Sequence, residues 1–145
     1  MSLPVGDGEM VRVRIEVPLG SWTKRKASGE VDLRSPLPCP YNYGSVLGTT
    51  APDGDPLDAL VLGPRLAFGD VVEVRVRAAV RFFDAGVADP KLVCSEHPLT
   101  NAQRRGVWAF FVAYAALKRT RARLRGLPRG LTGPMGWYRL DRPSR

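Results

Sequence analysis

The chain is poor in the residues that build soft-metal and covalent centres. Cys39 and Cys94 are its two cysteines, far apart and outside any CxxC pattern, so neither a zinc site nor a disulfide framework is indicated and both read as free thiols. His97 is the single histidine, in the loop-like SEHPLT, and reads as a surface or loop residue rather than a catalyst. No apolar run approaches the length that spans a bilayer, and MSLPVGDGEM lacks the basic and apolar regions of a signal peptide, so a cytoplasmic protein without a membrane partner is expected. There is no phosphate-cradling P-loop and no GxSxG nucleophile motif. Acidic residues nearly vanish toward the C-terminus: residues 103–145 hold 11 Lys and Arg against Asp141 alone, whereas residues 1–102 hold 11 against 13 Asp and Glu. The overall +8 is thus a C-terminal property. It fits either an anion-binding surface, nucleic acid included, or the ordinary preference of cations for helix C-termini and a solvated face.

What is present fits one domain over residues 1–145, long enough to bury a core. MVRVRIEV (10–17) and DVVEVRVRAAVRFF (70–83) alternate apolar and polar residues, the period of half-buried strands, the second long enough to bend or divide. Short strands are expected near GEVDLR, in YNYGSV, at DALVL and at KLVCS (91–95), separated by polar Gly/Pro loops, which suggests a small barrel. The period then changes. Thr100 and Gln103 make a capping box, Val107, Phe110, Phe111, Tyr114, Leu117, Arg121 and Leu124 recur at helical spacing, and Gly126 and Pro128 end the run. A long amphipathic helix packed on the barrel is expected, then an irregular basic tail.

The densest chemistry is PDGDPLDALVL (52–62), with Asp53, Asp55 and Asp58 inside six residues. Like charges so close repel by roughly 1 to 4 kcal/mol per pair, depending on the effective dielectric. Hard oxygen donors without His or Cys point to Mg²⁺ or Mn²⁺. An EF-hand is excluded, because Asp58 and Pro64 stand where that loop needs Gly and Glu. An Asx-turn loop whose carboxylates cap backbone amides stays open for the triplet alone. A second acidic pair, Asp84 and Asp89, comes with Lys91 in FFDAGVADPKLV, and together the two loops make a candidate magnesium site for a phosphate substrate.

RIEVPLGSWTKRK, YNYGSV, DGDPLDALVL, FFDAGVADPKLV and FFVAYAALK occur in the order and near the spacings of the soluble family I inorganic pyrophosphatases, over about residues 12–118. The chain resembles that family, which implies an α+β, mainly β fold: a small OB-like five-stranded barrel with the long helix packed on it. The resemblance implies Mg²⁺-dependent hydrolysis of inorganic diphosphate, and hexameric homo-oligomers as in bacterial relatives. By position it implies that Asp53, Asp58 and Asp89 hold one Mg²⁺, that Asp84 and Asp89 help hold others, and that Glu16 stands near a further metal. Asp55 matches the base, and Lys24, Arg34, Tyr43, Lys91 and Tyr114 match the phosphate-contacting positions.

The chain departs from the pattern at Lys26, where Glu is expected, at Cys39, where Tyr is expected with Tyr41 close by, and at Ala115, where Lys is expected. Lys118, one helical turn beyond Tyr114, and Lys26 are the expected compensating cations, with restoration of Lys at 115 expected to rescue loss of Lys118. Alternatives to a working diphosphatase are a divergent homologue with weak or altered phosphohydrolase activity, and an anion- or nucleic-acid-binding module on an OB-like barrel.

Overall fold

The computed structural model describes residues 3, 5–21, 23–25, 31–34, 39–52, 54–127 and 130–140. Among them run β1 (Met10–Val17), β2 (Thr23–Arg25), β3 (Val31–Arg34), β4 (Asn42–Val46), β5 (Asp58–Val61), β6 (Val71–Asp84), β7 (Val87–Ala88), β8 (Lys91–Cys94), α1 (Asn101–Arg125) and β9 (Gly133–Trp137). The strands β1, β4, β5, β8 and β6 pair in that order, and β6 pairs back onto β1, closing a five-stranded ring of OB-like topology. Only β5 and β8 of these neighbours run parallel, with Asp58 opposite Lys91. The fourteen-residue β6 spans the ring by bending: its first part pairs with β1, its middle with β8, and its end with β7 and β9.

Alternation along the strands creates two cores. Val13, Ile15, Val46, Ala59, Val61, Val76, Ala79, Leu92 and Cys94 point into the ring. The opposite face carries Tyr43, Leu60, Val80, Phe82 and Val93, covered by Val107, Phe111 and Ala115 of α1. Burying Val107 and Phe111 contributes about 1.5–3 kcal/mol each. At Gly44 the β1 and β4 backbones approach so closely that a Cβ would overlap the Arg14 carbonyl.

Both helix ends form as the sequence predicts. The Thr100 hydroxyl accepts from the Gln103 amide, the Gln103 side chain accepts from the Thr100 amide, and Gly126 closes the helix at φ 62°. Leu124 does not continue the apolar stripe; it is 81% exposed. Nor is the tail wholly irregular. Gly133–Trp137 forms β9 on the edge of β6 that β1 has left, with Gly133 and Gly136 at φ 149° and 151°, extended conformations that side chains disfavour. In the basic stretch before residue 40, β2 pairs with β3, so the segment holds a hairpin rather than one short strand. No helix among the described residues is long and apolar enough to cross a membrane.

Candidate functional site

The face that α1 covers does not end in apolar side chains. Beyond Leu60 and Val93, toward the start of the parallel pair, the same face presents Asp58 and Lys91, and β4 adds Tyr43. The side chains converge on Lys91 Nζ, which donates to Asp58 Oδ2 at 2.6 Å, to Asp89 Oδ2 at 2.8 Å and to the Tyr43 hydroxyl at 2.9 Å. Tyr43 in turn donates to Asp58 Oδ2 at 2.8 Å. The ammonium is buried, with the rings of Phe82, Tyr43 and Tyr114 at 5.3, 5.6 and 5.7 Å.

Burial alone would drive the Lys91 ammonium to give up its proton. The Asp58 charge, with Tyr114, Asp89 and the hydrogen bond to Asp58, more than reverses this and holds the group charged well above the usual lysine range. Burial also pushes the Tyr43 hydroxyl far above its ordinary value, reinforced by the Asp58 charge, so it keeps its proton and remains a donor.

A second pair lies across the Tyr114 ring. Lys118 Nζ is 5.2 Å from that ring and donates to Asp84 Oδ2 at 2.5 Å. Burial pulls its proton affinity down and the nearby Lys91 charge adds to that, but Tyr114 and the bond to Asp84 raise it overall. Lys118 therefore stands where the helical spacing predicts, on the Tyr114 side of α1.

Ala115 is buried at 1% exposure against β9, where a Cβ added at Gly133 would lie 3.7 Å from the Ala115 Cβ.

Glu16 accepts from Ser45 Oγ at 2.9 Å, and Ser45 lies directly across the sheet from Asp58. Asp55 is exposed on the loop entering β5, which is tied by Gly54 N–H to the Ala51 carbonyl at 2.9 Å and by Ala51 N–H to the Asp55 carbonyl at 2.6 Å. Lys24 and Arg34 lie on the β2–β3 hairpin. Asp53 and Lys26 lie outside the described residues. Tyr41, close to the position where a ring is expected at Cys39, packs edge-on against Phe110 at 5.5 Å, and its hydroxyl stands over Gly106. The Cys39 thiol donates to the Tyr41 carbonyl, and both cysteines are free. His97 is exposed in the loop before α1.

The donor set suits a hard divalent cation: all its charged ligands are carboxylates, and Asp58 and Asp89 already share one cationic centre, the Lys91 ammonium. Among the described residues, however, no three His, Cys, Asp or Glu side chains are gathered closely enough to hold a metal by themselves. Ammonium groups bridge the acids instead, Lys91 between Asp58 and Asp89 and Lys118 at Asp84.

Two residues that hold the site together were not apparent in the sequence. Phe82 is the floor beneath Lys91. Asn42, fully buried at the start of β4, accepts from the Leu19 and Leu66 amides and donates to the Val61 and Pro64 carbonyls, fastening the loop after β1 to the end of β5 and the loop that follows it.

A family model described as inorganic pyrophosphatase matches residues 13–123. The inorganic pyrophosphatase of Thermus thermophilus is 43% identical over 102 residues, covering 63% of this chain and 58% of that protein. That of Gluconobacter oxydans is 39% identical over 101 residues, covering 64% and 58%. The chain thus spans little more than half the length of the curated relatives it matches. In three dimensions the crystal structure of inorganic pyrophosphatase from Thermus thermophilus superposes with a TM-score of 0.73 at 32% identity, covering 97% of this chain and 88% of that one. The corresponding structure from Neisseria gonorrhoeae gives 0.71 at 26% identity, covering 94% and 86%.

Proposed function

The chain belongs to the inorganic pyrophosphatase family, and from that footing we propose that it hydrolyses inorganic diphosphate to two phosphates with Mg²⁺, Mn²⁺ being the alternative ion. The observation that carries the reading is the buried Tyr43–Asp58–Lys91–Asp89 network with Lys118 and Asp84 beside it, two fixed ammoniums among carboxylates at one mouth. Asp53, Asp58 and Asp89 would hold one ion, Asp84 and Asp89 would help hold others, and Glu16 would stand near a further one. When bound, the ion screens the diphosphate charge and acidifies a water.

The chain's own residues supply the rest. Asp55, exposed on the loop entering β5, would take the proton of the attacking water. Lys91 and Lys118 give charge to the phosphate oxygens, and the Tyr43 hydroxyl, unable to ionise in its buried place, donates a hydrogen bond as charge gathers on the leaving phosphate. Tyr114 sets the spacing of the two ammoniums through its ring. Lys24 and Arg34, as the resemblance implies, and Lys26 would add cations to the phosphates. Residues 1–145 act as one catalytic unit in this reading, in the cytoplasm and as a homo-oligomer, hexameric as the resemblance implies.

The assay is phosphate release from diphosphate with Mg²⁺ and with EDTA. Metal-dependent release is expected. Its absence, together with release from another phosphorylated compound, would favour the altered-substrate reading that Cys39 and Ala115 suggest. Salt-dependent binding of single-stranded DNA without release would favour the nucleic-acid module.

A further inference from the structure

Asp84 ends β6 immediately before a tight turn, Ala85–Gly86, that leads into β7. Both turn residues have positive φ, 51° and 85°, as a type I′ hairpin demands. Glycine adopts this readily at the second position; alanine at the first does not, because its Cβ crowds the backbone there. An alanine in that conformation needs an outside hold. Residues 130–132 supply it. The Ala85 N–H donates to Thr132 Oγ1 at 2.9 Å and the Gly86 N–H to the Leu131 carbonyl at 2.8 Å. Gly130 lies so close that a Cβ would overlap the Ala85 peptide. The same Thr132 accepts through its carbonyl from Arg119 Nη1 at 2.8 Å, and Arg119 follows Lys118, the partner of Asp84.

We propose that Thr132 is a positioning residue, whose hydroxyl fixes the Asp84 turn and whose carbonyl fixes the helix at Arg119, so that Asp84 and Lys118 keep their working separation. The role rests on the proposed diphosphatase reading, since it acts through Asp84 and Lys118. It assigns a duty to the segment after α1, beyond the region in which sequence motifs were found.

The test compares the parent with Thr132→Val, which keeps the shape and loses the hydroxyl, and Thr132→Ser, which keeps the hydroxyl. Three experiments are made: calorimetry without substrate for Mg²⁺ affinity, steady-state kinetics for kcat and KM with diphosphate, and amide exchange at Ala85 and Gly86. Thr132→Val should weaken Mg²⁺ binding and raise KM, each about fivefold, and speed exchange at Ala85. Thr132→Ser should stay within about twofold of the parent. Ala85→Gly in the Thr132→Val background should recover part of the loss, because glycine holds positive φ unaided.

Equal impairment by Val and Ser, or unchanged Mg²⁺ affinity and KM in Thr132→Val, would overturn the proposal. So would exchange at Ala85 in the parent as fast as in an open loop, a measurement that stands even if Thr132→Val does not fold. A parent that releases no phosphate would remove the diphosphatase reading, while Mg²⁺ affinity and amide exchange would still judge Thr132.

Discussion

Replacing Lys91 by methionine removes one charge and very little volume, and it tests the centre of the site directly. Nζ is shared by Asp58 Oδ2 at 2.6 Å and Asp89 Oδ2 at 2.8 Å, whose side chains are 17% and 7% exposed. Removing one partner of a buried ion pair costs about 3–5 kcal/mol, because the remaining charge is left desolvated. Here two carboxylates are left facing each other, but Asp58 retains some contact with solvent, so about 3 kcal/mol at pH 7 without metal is the expected loss. The sign with pH follows from the parent. Its ammonium is held above the ordinary lysine value, so its stabilisation is complete below about pH 10, the unfolded lysine range, and is lost only as pH rises through the folded value. Across neutral and mildly acid pH the parent contribution is therefore flat. In the variant, proton uptake by one of the two acids relieves their repulsion, so the gap between variant and parent should narrow below about pH 5. Mg²⁺ should narrow it at pH 7 by replacing the lost positive charge. Urea unfolding at both pH values, with EDTA or Mg²⁺, measures all of this. A Lys91→Met protein as stable as the parent in EDTA, or a gap that neither acid nor Mg²⁺ reduces, would refute the electrostatic account.

Of the chain's four tyrosines, Tyr43 should be the most resistant to alkaline titration followed at 295 nm, since burial first and the Asp58 charge second raise its hydroxyl; Tyr43→Phe should abolish that late step and lower kcat/KM. Asp58→Asn should weaken Mg²⁺ binding measured by calorimetry, whereas Asp55→Asn should leave that affinity nearly intact and lower kcat by about 10²-fold or more, as loss of a general base does; the opposite pattern would exchange the two roles. Lys118→Ala should lower kcat/KM about tenfold at low ionic strength, with the effect shrinking as salt screens the phosphate charge. Ala115→Lys should not restore that loss, and thermal unfolding should show it destabilised by about 1–3 kcal/mol from overpacking alone.

Local patterns were legible where one short stretch of chain determines the outcome. Alternation marked β1 and β6, and the Thr100/Gln103 pair and Gly126 marked both ends of α1. The acidic cluster at Asp53, Asp55 and Asp58 announced a charged loop for the same reason. Sheet pairing over long separations was not legible. Lys91 and Tyr43 stand 48 residues apart, and they meet because β4, β5 and β8 are neighbours in the ring. The strand β9 has no alternation at all; GPMGW is recruited by an open edge of β6 and by two glycines that accept unusual extended angles. The fourfold role of Asn42 was invisible too, because its partners come from residues 19, 61, 64 and 66.

In the proposed reading, the alanine at 115 and its compensating lysine at 118 both bear on how the segment after α1 returns. β9 lies against the helix where residue 115 faces inward, so a cation placed at 115 would lose much of its hydration. One turn further along, Arg119 is the residue that faces Gly133 and Thr132. A lysine at 118 can keep part of its ammonium in solvent while its stem crosses the Tyr114 ring and its charge reaches Asp84. In the proposed reading, Lys118 keeps a positive charge beside the carboxylates that Ala115 does not carry. A flexible ammonium tolerates the shift from 115 to 118 where the fixed fork of a guanidinium would not. The same return brings Thr132 against Ala85 and Arg119, so the segment that packs on residue 115 also fastens the turn bearing the partner of Lys118.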